Sequence, residues 1–214
     1  MGFRRTAVLL QIVLLCVSLG WAAEEQGGPS EITVMVQNRA KLRKELLKDA
    51  ETEAARIFRA AHVTVHWLDC SRHEACHHIP GINEFVLNIV PDGRTSSDLV
   101  YGLTFLGPAG EGKYSDVFFR RIDAACAQGG CNVARFLGTV AAHELGHLLL
   151  GSHAHTYEGI MAAVWKQPVL RRMEMGSLLF TPEQSAAMRA RLTGEDAARQ
   201  LPAYTLMRTR SWIP

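Results

Sequence analysis

Residues 132–161 read NVARFLGTVAAHELGHLLLGSHAHTYEGIM, and the rest of the chain is best understood outward from them. Val133 to Leu150 forms a long helix by its pattern, with Asn132 as a plausible N-cap and Gly151 as its C-terminal stop. Val140, Ala141, Leu145, Leu148 and Leu149 surround its polar residues, as a buried helix requires. Within it, His143-Glu144-Leu145-Gly146-His147 has the spacing HExxH. Residues four apart on a helix share a face, so both imidazoles can reach one ion. Glu144 falls beside the first of them, at the rim of that face, where it can hold a water rather than the metal. Zinc lowers the pKa of such a water toward 7, and the carboxylate takes its proton as it attacks a carbonyl.

A catalytic zinc uses three protein ligands and keeps one position open. Gly151 ends the helix, and a glycine turn there can swing the chain back beneath the metal. His153 and His155 follow in the loop. Either can supply the third ligand. Gly159-Ile160-Met161 then places a methionine in a tight turn.

The chain holds a second HExxH, His73-Glu74-Ala75-Cys76-His77. It lacks apolar helical flanks and lies between Cys70 and Pro80-Gly81. It reads as a disulfide loop with surface histidines. The alternative is a small metal site using Cys70, His73, Cys76 and His77 or His78.

Upstream, Ile32, Val34 and Val36 alternate with Thr33, Met35 and Gln37, a strand pattern. Arg39 to Ala61 carries the apolar stripe Leu42, Leu46, Ala50, Ile57 and Ala61, an amphipathic helix. Val63, Val65 and Trp67 suggest a second strand, Phe85 to Val90 a third and Tyr101 to Leu106 a fourth. Val117, Phe119 and Ile122 suggest a fifth. After the long helix comes an irregular segment, then a helix capped by Thr181 with Pro182 at its first position, ending near Gly194. The first two strands flank a helix, which implies a parallel pair. The expected fold is therefore α/β: a mixed, mostly parallel twisted sheet with an antiparallel edge strand, a backing helix, the long helix and a C-terminal helix.

The 214 residues suit one domain. Residues 1–22 have the layout of a secretory signal, with basic Arg4 and Arg5, an apolar run from Ala7 to Leu19 and small residues at Gly20 and Ala22. That run is short for a membrane span, so no stable anchor is expected after cleavage. Residues 30–194 form the expected domain, and residues 195–214 a loosely packed tail. Without Arg4 and Arg5 the two signs of charge balance at 21 each. No strong field remains to favour nucleic acid as a partner. Secretion or periplasmic export makes disulfides the expected state of Cys70, Cys76, Cys126 and Cys131. The local pairings, Cys70 with Cys76 and Cys126 with Cys131, are favoured, each contributing about 2 kcal/mol.

The segment HELGHLLLGSHAHTYEGIM, His143 to Met161, resembles the metzincin metallopeptidases, which place HExxHxxGxxH ahead of a Met-turn. It looks closest to small secreted bacterial members. The resemblance implies one zinc ion on His143, His147 and a third histidine, Glu144 as general base, and Met161 as a hydrophobic floor under the metal. It also implies that an edge strand, here Gly102, Leu103 and Thr104, pairs with an extended substrate by main-chain bonds. The bland alternative is an interior strand with no ligand role. Two departures stand out. The family's glycine is replaced by Leu150, with Gly151 next to it, and the tyrosine two residues after the Met-turn methionine is replaced by Ala163. The displaced glycine lengthens the return loop and favours His155 as the third ligand, with His153, which keeps the family's count, as the alternative. Tyr157 is a candidate substitute for stabilising the oxyanion; otherwise it is a loop aromatic. Ala162, Ala163, Val164 and Trp165 would line the pocket beside the scissile bond and give it an apolar preference.

The expected function is a secreted, monomeric zinc endopeptidase acting on peptides or proteins. The alternatives are a non-catalytic zinc-containing module that binds a peptide or partner, and a zinc amidase acting on cell-wall amides.

Overall fold

Alternation of apolar residues sets the sheet. In the computed structural model, which describes residues 30–70, 76, 78–95, 97 and 99–194, β1 (Glu31–Asn38) sends Ile32, Val34 and Val36 into the core. The chain turns through Asn38, whose side chain bonds both the backbone N–H and the carbonyl of Leu42. It then enters α1 (Lys44–Ala60), which leads to β2 (Thr64–Asp69). β1 and β2 pair in parallel, with Val34 opposite Trp67. β3 (Glu84–Val90) pairs in parallel on the other side of β1, and β5 (Tyr114–Phe118) in parallel with β3. β4 (Gly102–Phe105) runs antiparallel to β5 and closes the order β2-β1-β3-β5-β4 as an edge strand. The mixed, mostly parallel sheet with an antiparallel edge is thus present.

One face of the sheet meets α1 and α3 (Val133–Leu150) in a single apolar cluster. Leu47, Ala50, Ala54, Ile57 and Phe58 of α1 join Phe136, Leu137 and Ala141 of α3 there. Each large side chain so buried contributes about 1.5–3 kcal/mol. Every residue of α3 from Phe136 to Leu149 is buried, which explains its apolar character on all sides. Its ends follow the sequence: the Asn132 side chain accepts from the Arg135 N–H, and Gly151 takes a left-handed φ of 61°. The last helix, α5 (Pro182–Thr193), has a capping box between Thr181 and Gln184.

The structure departs from the sequence reading in three places. Phe119 and Ile122 are not in the fifth strand; β5 ends at Phe118 and α2 (Phe119–Gly129) starts at once. The buried Ile122 and Cys126 are four apart, a helical spacing, but Phe118 makes no side-chain cap that would mark the switch. The segment read as irregular contains α4 (Gln167–Glu174), which buries only Met173 and so lacks an apolar stripe. α1 starts five residues later than Arg39, because the Asn38 turn and the positive φ of Lys41 precede it. Both local disulfides are formed, Cys70–Cys76 and Cys126–Cys131, the latter tying the last turn of α2 to the residue before the α3 cap. The signal segment 1–22, the tail 195–214 and His73, Glu74 and His77 lie outside the described residues. Among the described residues no helix is long and apolar enough to cross a membrane.

Candidate metal centre

Two of three imidazoles are placed by helical periodicity. His143 and His147, both buried on one face of α3, bring their Nε2 atoms within 3.1 Å of each other. Their Nδ1 atoms are each held by a backbone carbonyl: His143 to Ile160 O and His147 to Ser152 O, both at 2.7 Å. A carbonyl can only accept, so each Nδ1 carries the proton. Two bare Nε2 lone pairs then face one another, an arrangement that repels unless a cation lies between them. Protonation is no remedy, because burial drives His143 down to about 3 and also lowers His147.

The third imidazole comes from the loop. A bridge between Thr156 and Ala162, with the Thr156 N–H donating to Met161 O at 2.9 Å, folds residues 152–162 back under α3. His155 thereby stacks on His143 at 5.4 Å between ring centroids and meets His147 edge-on at 4.9 Å. One nitrogen each from His143, His147 and His155 lies within 4.8 Å of the other two, a donor set that could hold a metal ion. His153 stands outside this set, with its ring 6.0 Å from that of His147, though it too borders the cleft. Three neutral imidazoles with the second nitrogen of two of them fixed by carbonyls match the chemistry of a zinc site.

Met161 is fully buried, and its Sδ lies against Gly146, where an added Cβ would come within 2.9 Å of the sulfur and 2.7 Å of the Phe180 ring. The bare backbone of Gly146 lets the turn 159–161 seat directly on α3. The trio opens on a cavity of about 240 Å³ that β4, Val140, Ala162, Ala163 and Trp165 help to line. Trp165 stacks on Phe136, meets His143 in a T-shaped contact and donates to Ala162 O at 3.1 Å. Val164, also expected here, is exposed instead.

Glu144 also reaches this cavity, with only 6% of its surface exposed. Burial raises its carboxyl to about 7; the Thr104 hydroxyl opposes that rise, and Asp116 adds to it.

The fold is that of a solved zinc-dependent peptidase. That structure, from Methanocorpusculum labreanum (strain Z), superposes with a TM-score of 0.50 and 13% identity, over 72% of this chain and 99% of its own. An archaemetzincin from Methanopyrus kandleri superposes with a TM-score of 0.48 and 14% identity, over 76% and 96%. At such identity the likeness is one of fold. No family model matches the sequence, and no curated protein matches it.

The other residues singled out from the sequence divide. Gly102, Leu103 and Thr104 lie on the edge strand and border the cavity, but Gly102 and Thr104 face inward while Leu103 is exposed. Tyr157 is 96% exposed and does not line the cavity, so its hydroxyl is not at hand to stabilise an oxyanion there. It sits in a loop whose backbone becomes buried only at Gly159, two residues further on. One residue, Arg121, and one role, that of the Thr104 side chain, escaped the sequence reading. Arg121, buried on α2, donates to Asp92, Gly93, Thr95, Ser97 and Val100, pinning the segment that leads to β4. The Thr104 hydroxyl contacts Glu144 itself. Arg121 sits three residues beyond the unmarked end of β5, and Thr104 meets its partner 40 residues away, so neither left a local signal.

Proposed function

We propose that this chain is a secreted zinc-dependent endopeptidase of the metzincin type, with one zinc ion held by His143, His147 and His155. The supporting observation is the convergence of these three imidazoles beside a buried glutamate in a cleft along a sheet edge. When bound, the zinc ion would make a water acidic enough to lose its proton near pH 7 and polarise a substrate carbonyl.

The chain's own residues supply the rest. Ile160 O and Ser152 O orient the two helical imidazoles. Met161 forms the floor beneath them. Glu144 takes the water's proton on its carboxylate and delivers it to the departing amine. Its buried carboxyl, raised to about 7, suits a group that must both accept and release a proton near neutrality. The outer side of β4 has no strand partner among the described residues. It is open to main-chain pairing by an extended peptide, which gives affinity with little sequence selectivity. Ala162, Ala163 and Trp165 give the cleft an apolar wall.

Two disulfides and the signal-like residues 1–22 support export to the periplasm or beyond. The protein would act as a monomer, without an anchor. A purely structural zinc site fills all four positions with protein ligands, whereas three histidines leave one open, which favours catalysis over a passive binding module. The test is zinc content and cleavage of a mixed peptide library by the purified protein, with and without chelator. One zinc per chain and chelator-sensitive cleavage support the proposal. Tight zinc without cleavage favours the binding module, and hydrolysis confined to cell-wall amides favours an amidase.

A further inference from the structure

The inward positions of β4 are both given over to Glu144. At Gly102 an added Cβ would come within 2.5 Å of Glu144 Oε1, so the strand leaves room there for the carboxylate. At Thr104 the strand supplies a hydroxyl. Thr104 Oγ1 lies 2.7 Å from Glu144 Oε2, 2.9 Å from the Glu144 carbonyl oxygen and 3.0 Å from Ser115 Oγ on the neighbouring strand β5. Thr104, Ser115 and Glu144 are all buried.

A hydroxyl has one proton to donate. The Glu144 carbonyl is already an acceptor in the α3 hydrogen-bond ladder, so it does not need Thr104. An ionised carboxylate can only accept. The Thr104 proton is therefore best placed on Oε2, as a short charge-assisted bond. Ser115, directly opposite Thr104 in the β4–β5 register, can donate in turn to Thr104 Oγ1 and hold that hydroxyl's direction. No described residue donates to Oε1, which is left as the working oxygen.

We propose, resting on the peptidase reading above, that Thr104 is a positioning residue that anchors Oε2 of Glu144, backed by Ser115, so that Oε1 faces the reacting water. β4 would then serve the reaction twice: its free edge receives substrate, and its inward face aims the base. Motion of the strand would disturb both together.

The experiment compares Thr104→Val, which keeps the shape and removes the hydroxyl, with Thr104→Ser, which keeps the hydroxyl. Ser115→Ala and Glu144→Gln complete the set, with zinc content measured for each. Loss of a partner that orients an active-site group lowers activity roughly 10- to 100-fold. Thr104→Val should lose kcat by that factor, hold KM within about twofold and retain its zinc. Thr104→Ser should recover most of the rate, and Ser115→Ala should show a smaller loss. Crystal structures of the zinc-loaded wild type and Thr104→Val proteins provide a readout independent of turnover. The wild type should show Oε2 on Thr104, and the variant a rotated or disordered carboxylate. An unmoved carboxylate in Thr104→Val, or a kcat equal to wild type, overturns the proposal. Failure of the peptidase reading looks different: wild type that cleaves nothing, or Glu144→Gln that cleaves as wild type does. The crystal structures still decide for or against Thr104 in that event.

Discussion

The helix α3 and the loop that follows it both deliver imidazoles to one point, but they hold them by different means. α3 places His143 and His147 by its own period, buries both, and locks each ring through a carbonyl. The loop places an exposed His155 through one backbone bridge at Thr156 and Ala162, and through the Ile160 N–H, which bonds Leu179 O at 2.9 Å. The loop also returns the favour, since Ile160 and Ser152 supply the carbonyls that orient the helical rings. The helix would fix the position of an ion, and the loop would close the site around it. Half of the metal centre is therefore secondary structure, and half depends on tertiary packing.

Breaking the helical half should have the largest effect. His143→Ala or His147→Ala should abolish zinc binding and turnover, as measured by metal analysis of purified protein. Breaking the loop half should separate its two histidines. His155→Ala should lose zinc at micromolar chelator, whereas His153→Ala should keep it. The reverse pattern would move the third ligand to His153.

The seam between the halves is Gly146 against Met161. Gly146→Ala should cost about 1–3 kcal/mol, because its Cβ must displace the sulfur and the Phe180 ring. A urea melt of metal-free protein checks this.

The smallest effect concerns Glu144 and pH. In metal-free protein its carboxyl is raised by burial to about 7 from an ordinary 4.5. Between those values the folded chain keeps a proton that the unfolded chain has released. The stability contribution is full below pH 4.5 and is lost as pH rises to 7. Glu144→Gln removes this titration, so its stability gain over wild type should grow from pH 4.5 to 7 and then level off. Urea melts of both metal-free proteins across that range give the comparison; a flat difference would place the carboxyl in a wetter setting than the structure shows.

The same contrast explains what the sequence made legible. α3 was readable at both ends, because Asn132 and Gly151 are local signals and HExxH is a local spacing. β1 and β2 were readable by alternation, β3 as an apolar run, and α5 by Thr181-Pro182. The start of α2 was hidden, because the extended backbone of Phe118 runs into the helix without a capping side chain. α4 was hidden because it buries one residue. In the site, His143, Glu144 and His147 follow from period alone, while choosing between His153 and His155 needed the loop's path. Thr104 was read only as part of an edge strand that pairs with substrate through its main chain; that its side chain faces Glu144 depends on the pairing with β5, which puts positions 102 and 104 inward. Tyr157 matched a role by proximity in sequence, but the turn at Gly159 leaves it in solvent.

The most direct test of the account is zinc stoichiometry and peptide cleavage measured side by side for wild type and Glu144→Gln. The account predicts one zinc per chain in both and cleavage in the wild type alone. A Glu144→Gln protein that cleaves at the wild-type rate with its zinc in place would contradict it.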